Sequence, residues 1–295
     1  MSTNPKITIG IDGGGTKCSA WVINQDLHVL GKGVAGSANI ARDFDNASLS
    51  IESAIKAALI DASMPHAFSS QLPPIVAGFA GFNVQSAQKK LALWATQFPS
   101  FHATSDLEVS LYGAHAGQNG SVLIVGTGSC SAALNTGQIK QWGGHGFLIG
   151  DKGSGAWLGQ QAIQRVLLAI DDAATQNDPL FFSTLSEQVG AREAPGLVEQ
   201  FCQASPATFA KLAPTVVALA EEGSEIALAI VREGASYLSQ IAEHAIQYSS
   251  GKIAITGGMS CKMAPWLTDE IQEKVSEPAY GAEIGAVLWH KAMER

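Results

Sequence analysis

The first residues able to do chemistry lie close to the start of this 295-residue chain, where Asp12 runs into Gly13, Gly14 and Gly15 and then Thr16 and Lys17. Glycines lack a Cβ and reach positive φ freely, so backbone N–H groups in such a turn can converge on an anion. A carboxylate beside the turn would repel a bare phosphate. It fits once a cation lies between them, as Mg²⁺ does with nucleotide phosphates. A plain hairpin is the competing reading, although hairpins favour shorter connections. A second turn of the same character, Gly126-Thr127-Gly128-Ser129, follows at an offset of 112, which lays Gly126 on Gly14 and Cys130-Ser131-Ala132 on Cys18-Ser19-Ala20. Thr16 and Lys17 from one turn, with Thr127 and Ser129 from the other, could hold β- and γ-phosphates from two sides. Gly257-Gly258, after a later apolar run, would let an adenosine lie flat on the backbone, or serve only as a strand-to-helix turn.

Three further positions carry candidate side chains. Asp106 opens an apolar helical pattern. It reads first as a helix N-cap, since carboxylates favour that end, and more sharply as the general base that phosphoryl transfer to a hydroxyl needs, and both can hold at once. Asp151 lies in the glycine-dense run 143–155, whose ordering costs entropy and so points to close ligand approach or a hinge. His145, in the same run, could bond a ligand hydroxyl or stay exposed. Asn39, in Ser37-Ala38-Asn39, could bond a polar substrate or make an Asx turn. Two familiar motifs are rejected. Gly10 and Gly15 have the P-loop spacing, but Thr16-Lys17 reverses its last pair and a strand follows instead of a helix. The GxGxxG at 31–36 opens no helix, and no acidic residue ends a following strand, so it does not support a dinucleotide site.

These residues need a scaffold, and the apolar pattern supplies one. Ile7, Ile9 and Ile11 alternate with Lys6, Thr8 and Gly10, the period of a strand. Further strands are expected over Ala20–Ile23, Val29–Val34 and Ile75–Phe79, with a short segment over Phe101–Thr104. Leu49, Ile51, Ala54, Ile55, Ala58 and Leu59 predict a helix, as do the stretches 84–97 and that opened by Ser105 or Asp106. Strand, glycine turn, strand, turn and strand then recur over Val122–Trp142, which indicates duplication. Helices follow near 156–170, 179–189, 196–202, 206–221 and 225–248, then a strand over 252–256, a short helix at Pro265 and a closing helix over 281–293. The class is α/β, with expected domains over 1–117 plus 283–295 and over 118–282.

Composition narrows the function. Hydrophobic residues make up 46% and charged residues 15%, a globular balance. The net charge of −8 argues against nucleic acid or an anionic membrane as partner. No apolar run reaches transmembrane length, and the first residues hold no apolar signal core. Cys18, Cys130, Cys202 and Cys261 are scattered without a CxxC, and no HExxH occurs, so neither a zinc site nor a disulfide framework is suggested. A cytoplasmic protein with reduced thiols is expected.

On these residues the chain resembles the sugar-kinase/Hsp70/actin superfamily, and within it the BadF/BadG/BcrA/BcrD ATPase family, most closely its N-acetylglucosamine and glucosamine kinases. The matching pieces run in order through the chain: IGIDGGGTK, GSANI, VAGFAG, TSDLEVSLYGA, IVGTGS, GGHGFLIGDKGSGAWLG, ITGG and GAEIGAVL. The resemblance implies two RNase-H-like (actin-like ATPase) domains, the second enlarged by helices, with ATP and sugar in the cleft between them. It implies water-mediated Mg²⁺ contact for Asp12, phosphate contact for Thr16 and Lys17, a second phosphate turn for Thr127 with Gly126 and Gly128, and adenosine contact for Gly257 and Gly258. Gly13, Gly14, Gly15 and Ser129 are phosphate candidates from the turns themselves. Asp106 becomes the base for the sugar 6-hydroxyl, and Asn39, Gly144 and Asp151 become sugar ligands. A homodimer acting on a small amino sugar is the expected assembly. Many relatives carry an acidic residue at the position of Lys152, which leaves its role open. Two other activities occur to compare: an ATP-driven activator of a dehydratase or reductase, and a non-catalytic sugar-sensing regulator. The activators hold a [4Fe–4S] cluster through Cys-Gly contexts, whereas Cys130 and Cys261 precede Ser and Lys.

Overall fold

The computed structural model describes residues 7–65, 71–171, 178–249 and 251–294. The chain divides into two units, Met1–Asn119 with Glu277–Arg295, and Gly120–Ser276.

In the first unit β1 (Ile7–Gly13), β2 (Cys18–Asn24) and β3 (Val29–Ala35) form an antiparallel meander. Helix α1 (Phe44–Asp61) then leads to β4 (Ile75–Phe79), α2 (Gln85–Ala95), β5 (Phe101–Ser105) and α3 (Asp106–Ala114). Strands β4 and β5 add in parallel to β1, giving the order β3-β2-β1-β4-β5. Helix α1 starts where Asp43 accepts the Asn46 N–H at 3.1 Å. It buries Ile51, Ala54, Ile55, Ala58 and Leu59, but Leu49 is 64% exposed. At about 100° per residue, Leu49 lies on the opposite side of the helix from Ile51. The GxGxxG motif has a packing purpose. A Cβ on Gly33 would lie 2.1 Å from the Ala54 carbonyl oxygen, and one on Gly31 2.5 Å from that of Ala58, so these glycines seat α1 on β3.

The closing helix, Ala282–Met293, packs on α3 in this same unit. Its backbone comes so near that a Cβ on Gly285 would lie 1.9 Å from the Val109 carbonyl oxygen. Replacing Gly285 with Ala should therefore destabilise the protein by about 2–3 kcal/mol, the usual cost of overpacking. Thermal denaturation checks this; an unchanged Tm would mean that the helices separate without penalty.

The second unit repeats the meander with β6 (Gly120–Val125), β7 (Ser129–Asn135) and β8 (Gln138–Gly143). Among the described residues the helices that follow are α4 (Gly155–Asp171), α5 (Pro179–Val189), α6 (Ala194–Phe201), α7 (Pro206–Ala210) and α8 (Ala213–Glu221). The long α9 (Glu225–Ser249) then leads to β9 (Ile253–Thr256), which runs parallel to β6. The order β8-β7-β6-β9 reproduces β3-β2-β1-β4. In the place of β5 stands a single parallel bridge, Ile253 to Val275. The one helix expected over 206–221 is two. Pro214, in the first turn of α8, has no N–H for the Ala210 carbonyl and its ring crowds that turn. At Pro265 the expected short helix is three pieces: α10 (Ser260–Met263), a 3₁₀ turn (Ala264–Trp266) and α11 (Asp269–Gln272). The closing helix is α12. Phe181, Leu185, Leu158, Val216, Val217 and Leu238 are buried in the helical core of this unit. No helix among the described residues is long and apolar enough to cross a membrane.

Candidate active site

Parallel pairing decides where the candidate residues of the first unit fall. Gly13 lies opposite Phe79, and Phe79 opposite Ser105, so the carboxyl ends of β1, β4 and β5 meet at one edge. Ligands of open α/β sheets sit at such edges. Asp12 and Gly13 end β1 there, Asp106 follows β5, and the loop holding Asn39 is tied alongside. That loop donates from Ala38 to the Gly14 carbonyl at 3.0 Å and from Ile40 to that of Ala80 at 3.1 Å. The Asn39 Oδ1 accepts the N–H groups of Ala41 and Arg42 at 3.1 and 3.0 Å, so the Asx turn is real and only its amide NH₂ is left for a ligand.

The first glycine turn is tighter than three free glycines would make it. Gly13 is a buried strand residue, paired with Cys18 as well as Phe79. The Gly14 N–H donates to the Lys17 carbonyl at 2.9 Å and closes the turn. Gly15, Thr16 and Lys17 are exposed at its tip, which leaves the Gly15 and Thr16 N–H groups and the Lys17 ammonium for an anion. Asp12, just before the turn, has its carboxyl pKa pushed up to about 7. Burial is the main cause, the charges of Glu283 and Asp106 add to it, and Lys17 opposes it. Burial likewise pushes the neighbouring Cys18 thiol up to about 12, so it stays protonated.

At Asp106 the structure separates the two readings of the sequence. Ser105 is the N-cap of α3 and accepts the Glu108 N–H at 3.2 Å, while Asp106 is the first helical residue. Glu108 turns back to take the Thr104 hydroxyl at 2.5 Å. The helix therefore starts without the Asp106 side chain. Its Oδ1 accepts the Leu107 N–H at 2.9 Å. Burial raises the Asp106 pKa, and the backbone N–H groups of Leu107 and Asp106 pull it back. The result is a fixed, partly desolvated carboxylate at the edge that also carries the turn.

The second unit assembles its own set. Strands β6 and β9 are parallel neighbours, so the turns that follow them adjoin. Gly257 has φ +99°, and a Cβ there would lie 2.4 Å from the Val125 carbonyl oxygen, which only glycine tolerates. Gly258 is exposed, with open space where its Cβ would be. The turn over Gly126–Gly128 is anchored from behind by the start of α4. The Gly155 N–H reaches the Gly126 carbonyl at 2.8 Å and the Ala156 N–H that of Thr127 at 3.2 Å, while Ser154 caps the helix through the Trp157 N–H. Ser129 departs from the expectation of a phosphate-facing hydroxyl. It is buried, and its Oγ donates to the Lys152 carbonyl at 2.9 Å, which commits its proton to holding the chain. Thr127 is the hydroxyl of this turn that stays partly exposed.

The run 143–155 bends through five left-handed residues, Gly143, Gly144, Gly146, Asp151 and Gly153. The Gly144 N–H goes to the Ser129 carbonyl at 3.0 Å, so its own carbonyl is what remains for a ligand. Asp151 is 9% exposed, at φ +54°, and its Oδ1 accepts the Gly146 N–H at 3.1 Å. Burial raises its pKa against that N–H and the His145 charge. His145 is exposed. Lys152 forms an ion pair with Glu233 at 2.9 Å and lies over the Trp157 ring, which ties the run to α9. Glu283 escaped the sequence reading. Its signal was a charge placed one residue into the otherwise apolar start of α12, and it is buried with its charge acting on Asp12.

Two sheets of one strand order, each with a glycine turn after its first strand, define a two-unit RNase-H-like fold of the actin-like ATPase class. The chain belongs to the BadF/BadG/BcrA/BcrD ATPase family, whose profile matches residues 9–290. It is 29% identical over 282 residues to a glucosamine kinase of Vibrio cholerae, covering 95% of this chain and 94% of that protein. It is 24% identical over 302 residues to an N-acetyl-D-glucosamine kinase of Dictyostelium discoideum, covering 95% and 93%. A crystal structure of a Chromobacterium violaceum protein, provisionally named an N-acetylglucosamine kinase, superposes with a TM-score of 0.88 at 28% identity, covering 96% of this chain and 98% of that one.

Proposed function

We infer that this protein is an amino-sugar kinase that transfers the γ-phosphoryl group of ATP to the 6-hydroxyl of glucosamine or N-acetylglucosamine. The observation that carries the reading is the joint placement of Asp106 and the Asp12–Lys17 turn at one sheet edge. A base for the hydroxyl and a cradle for phosphate then belong to the same unit. The names of the family's relatives support the substrate class.

In this reading Gly15, Thr16 and Lys17 bind phosphate oxygens, as do Thr127 and the glycines beside it, and the open Gly257-Gly258 turn takes the adenosine. The amide of Asn39, the carbonyl of Gly144 and the carboxylate of Asp151 orient the sugar. The 6-oxygen attacks the γ-phosphorus, the bond to the ADP oxygen breaks, and Asp106 takes the hydroxyl proton. Asp12 suits a hard cation: its carboxylate is partly desolvated and crowded by the negative charges of Glu283 and Asp106, which a cation would relieve. Among the described residues no three His, Cys, Asp or Glu side chains could hold a metal together. Asp12 is the residue that would hold Mg²⁺, through water. When bound, the ion supplies neutralising charge on the phosphates.

The test is an ADP-release assay over a panel of hexoses with ATP and Mg²⁺. Turnover is expected with glucosamine, N-acetylglucosamine or both, well above that with glucose. Absence of turnover with either amino sugar would overturn the substrate assignment, and comparison of kcat/KM for the two fixes the preference.

A further inference from the structure

We propose that Asp151, packed against Gly128, locks the sugar loop to the phosphate turn, so that the second unit binds amino sugar and ATP as coupled ligands. The proposal rests on the kinase reading above and adds to it a positioning role for Gly128 and a regulatory consequence.

The contact is explicit. A Cβ on Gly128 would lie 2.7 Å from Asp151 Oδ2, so no side chain fits between the turn and that carboxylate. The glycines of the first turn differ. A Cβ on Gly15 would meet nothing, and one on Gly14 only the Lys17 carbonyl oxygen at 3.4 Å. Gly128 is thus small because a carboxylate leans on it, a reason that phosphate access alone does not supply. Asp151 cannot swing away cheaply. It holds a left-handed backbone conformation, rare for a residue with a side chain, its Oδ1 is fixed by the Gly146 N–H and its carbonyl by the Ser154 N–H at 3.0 Å. The next residue is pinned as well, with the Lys152 carbonyl taking the Ser129 hydroxyl. Turn, carboxylate and helix start therefore form one interlocked piece, and a shift of the turn moves Asp151.

Charge gives the coupling its sign. An anion bound at Thr127–Gly128 lies beside the Asp151 carboxylate, which repels it. Sugar hydroxyls that donate to Asp151 disperse that charge, so each ligand favours the other, and the effect is reciprocal.

Calorimetry on the full chain tests this. Glucosamine and N-acetylglucosamine are titrated into the wild type with and without Mg²⁺ and the nonhydrolysable analogue AMP-PNP. Sugar binding should tighten about fivefold or more with the analogue present. Gly128→Ala should weaken sugar binding without nucleotide about tenfold or more, by displacing Asp151, and should abolish the tightening. A thermal double-mutant cycle tests the contact itself. Gly128→Ala should lower Tm in the wild type but not in an Asp151→Gly background, where the carboxylate is gone and glycine suits the left-handed backbone. If Gly128→Ala alone fails to fold, the double variant should fold. The proposal is overturned if Gly128→Ala binds sugar like the wild type, if the analogue leaves wild-type sugar affinity unchanged, or if the Tm loss is equal in both backgrounds. A wild type that binds neither sugar instead sinks the kinase reading, and the thermal cycle still decides the contact.

Discussion

Asp106→Asn is expected to lower kcat by about a thousandfold while leaving ATP affinity and the fold unchanged, since general-base catalysis contributes factors of this order. Asparagine keeps an oxygen where Oδ1 accepts the Leu107 N–H, so the side chain stays in place. The helix does not depend on the carboxylate, because Ser105 caps it and Glu108 is held by Thr104. The loss of a negative charge at a helix start costs about 0.5 kcal/mol, too little to unfold the protein. Under the proposed mechanism, what would disappear is the basicity that receives the hydroxyl proton. The wild type should show an acid limb in its kcat profile placed above the ordinary carboxylate range, because burial raises the Asp106 pKa. Steady-state kinetics with calorimetric ATP binding separate the outcomes. Unchanged kcat with a lowered Tm would mean that Asp106 only serves the helix dipole, and the base would have to be sought elsewhere.

The parts of this site that were legible in the sequence are those written locally. The alternation of Ile7, Ile9 and Ile11 and the turn after Asp12 need no distant information, and the offset repeat at Gly126 is enough to mark the second meander. The break at Lys211–Leu212 runs against the single helix expected there, although Pro214 inside that helix carried its signal. Other features depend on a neighbour that the chain brings from far away. Nothing near Gly33 in sequence says that α1 will rest on it, and nothing near Gly128 announces Asp151. Ser129 has the right type for a phosphate contact, yet the Lys152 carbonyl claims its hydroxyl. Glu283 reaches Asp12 only because α12 lies on β1 with its carbonyl against Gly10. Local pattern predicts elements and turn chemistry; which polar atom is already spent depends on packing.

Burial, with the charge of Glu283 added to it, makes Asp12 the source of the second large effect. Asp12→Asn is expected to abolish Mg²⁺-dependent turnover under the proposed role and, at the same time, to stabilise the ligand-free protein at pH 8. Desolvation, Glu283 and Asp106 raise the folded-state pKa from 3.8 to about 7. Between these values the folded chain binds the proton more tightly than the unfolded chain, so wild-type stability falls as pH rises through that window and stays lowered above it. The gap corresponds to about 4 kcal/mol before solvent screening of this partly exposed group reduces it. Asparagine carries no charge at any pH in the window. The variant should therefore melt above the wild type at pH 8, with the difference shrinking toward zero near pH 4. Mg²⁺ with ADP should raise the wild-type Tm at pH 8, where the carboxylate is ionised, and leave that of the variant nearly unmoved. Melting curves at pH 4, 6 and 8, with and without Mg²⁺ and ADP, measure both effects. A variant less stable than the wild type at pH 8 would show that the ionised Asp12 is already compensated inside the protein, and the metal assignment would lose its physical basis.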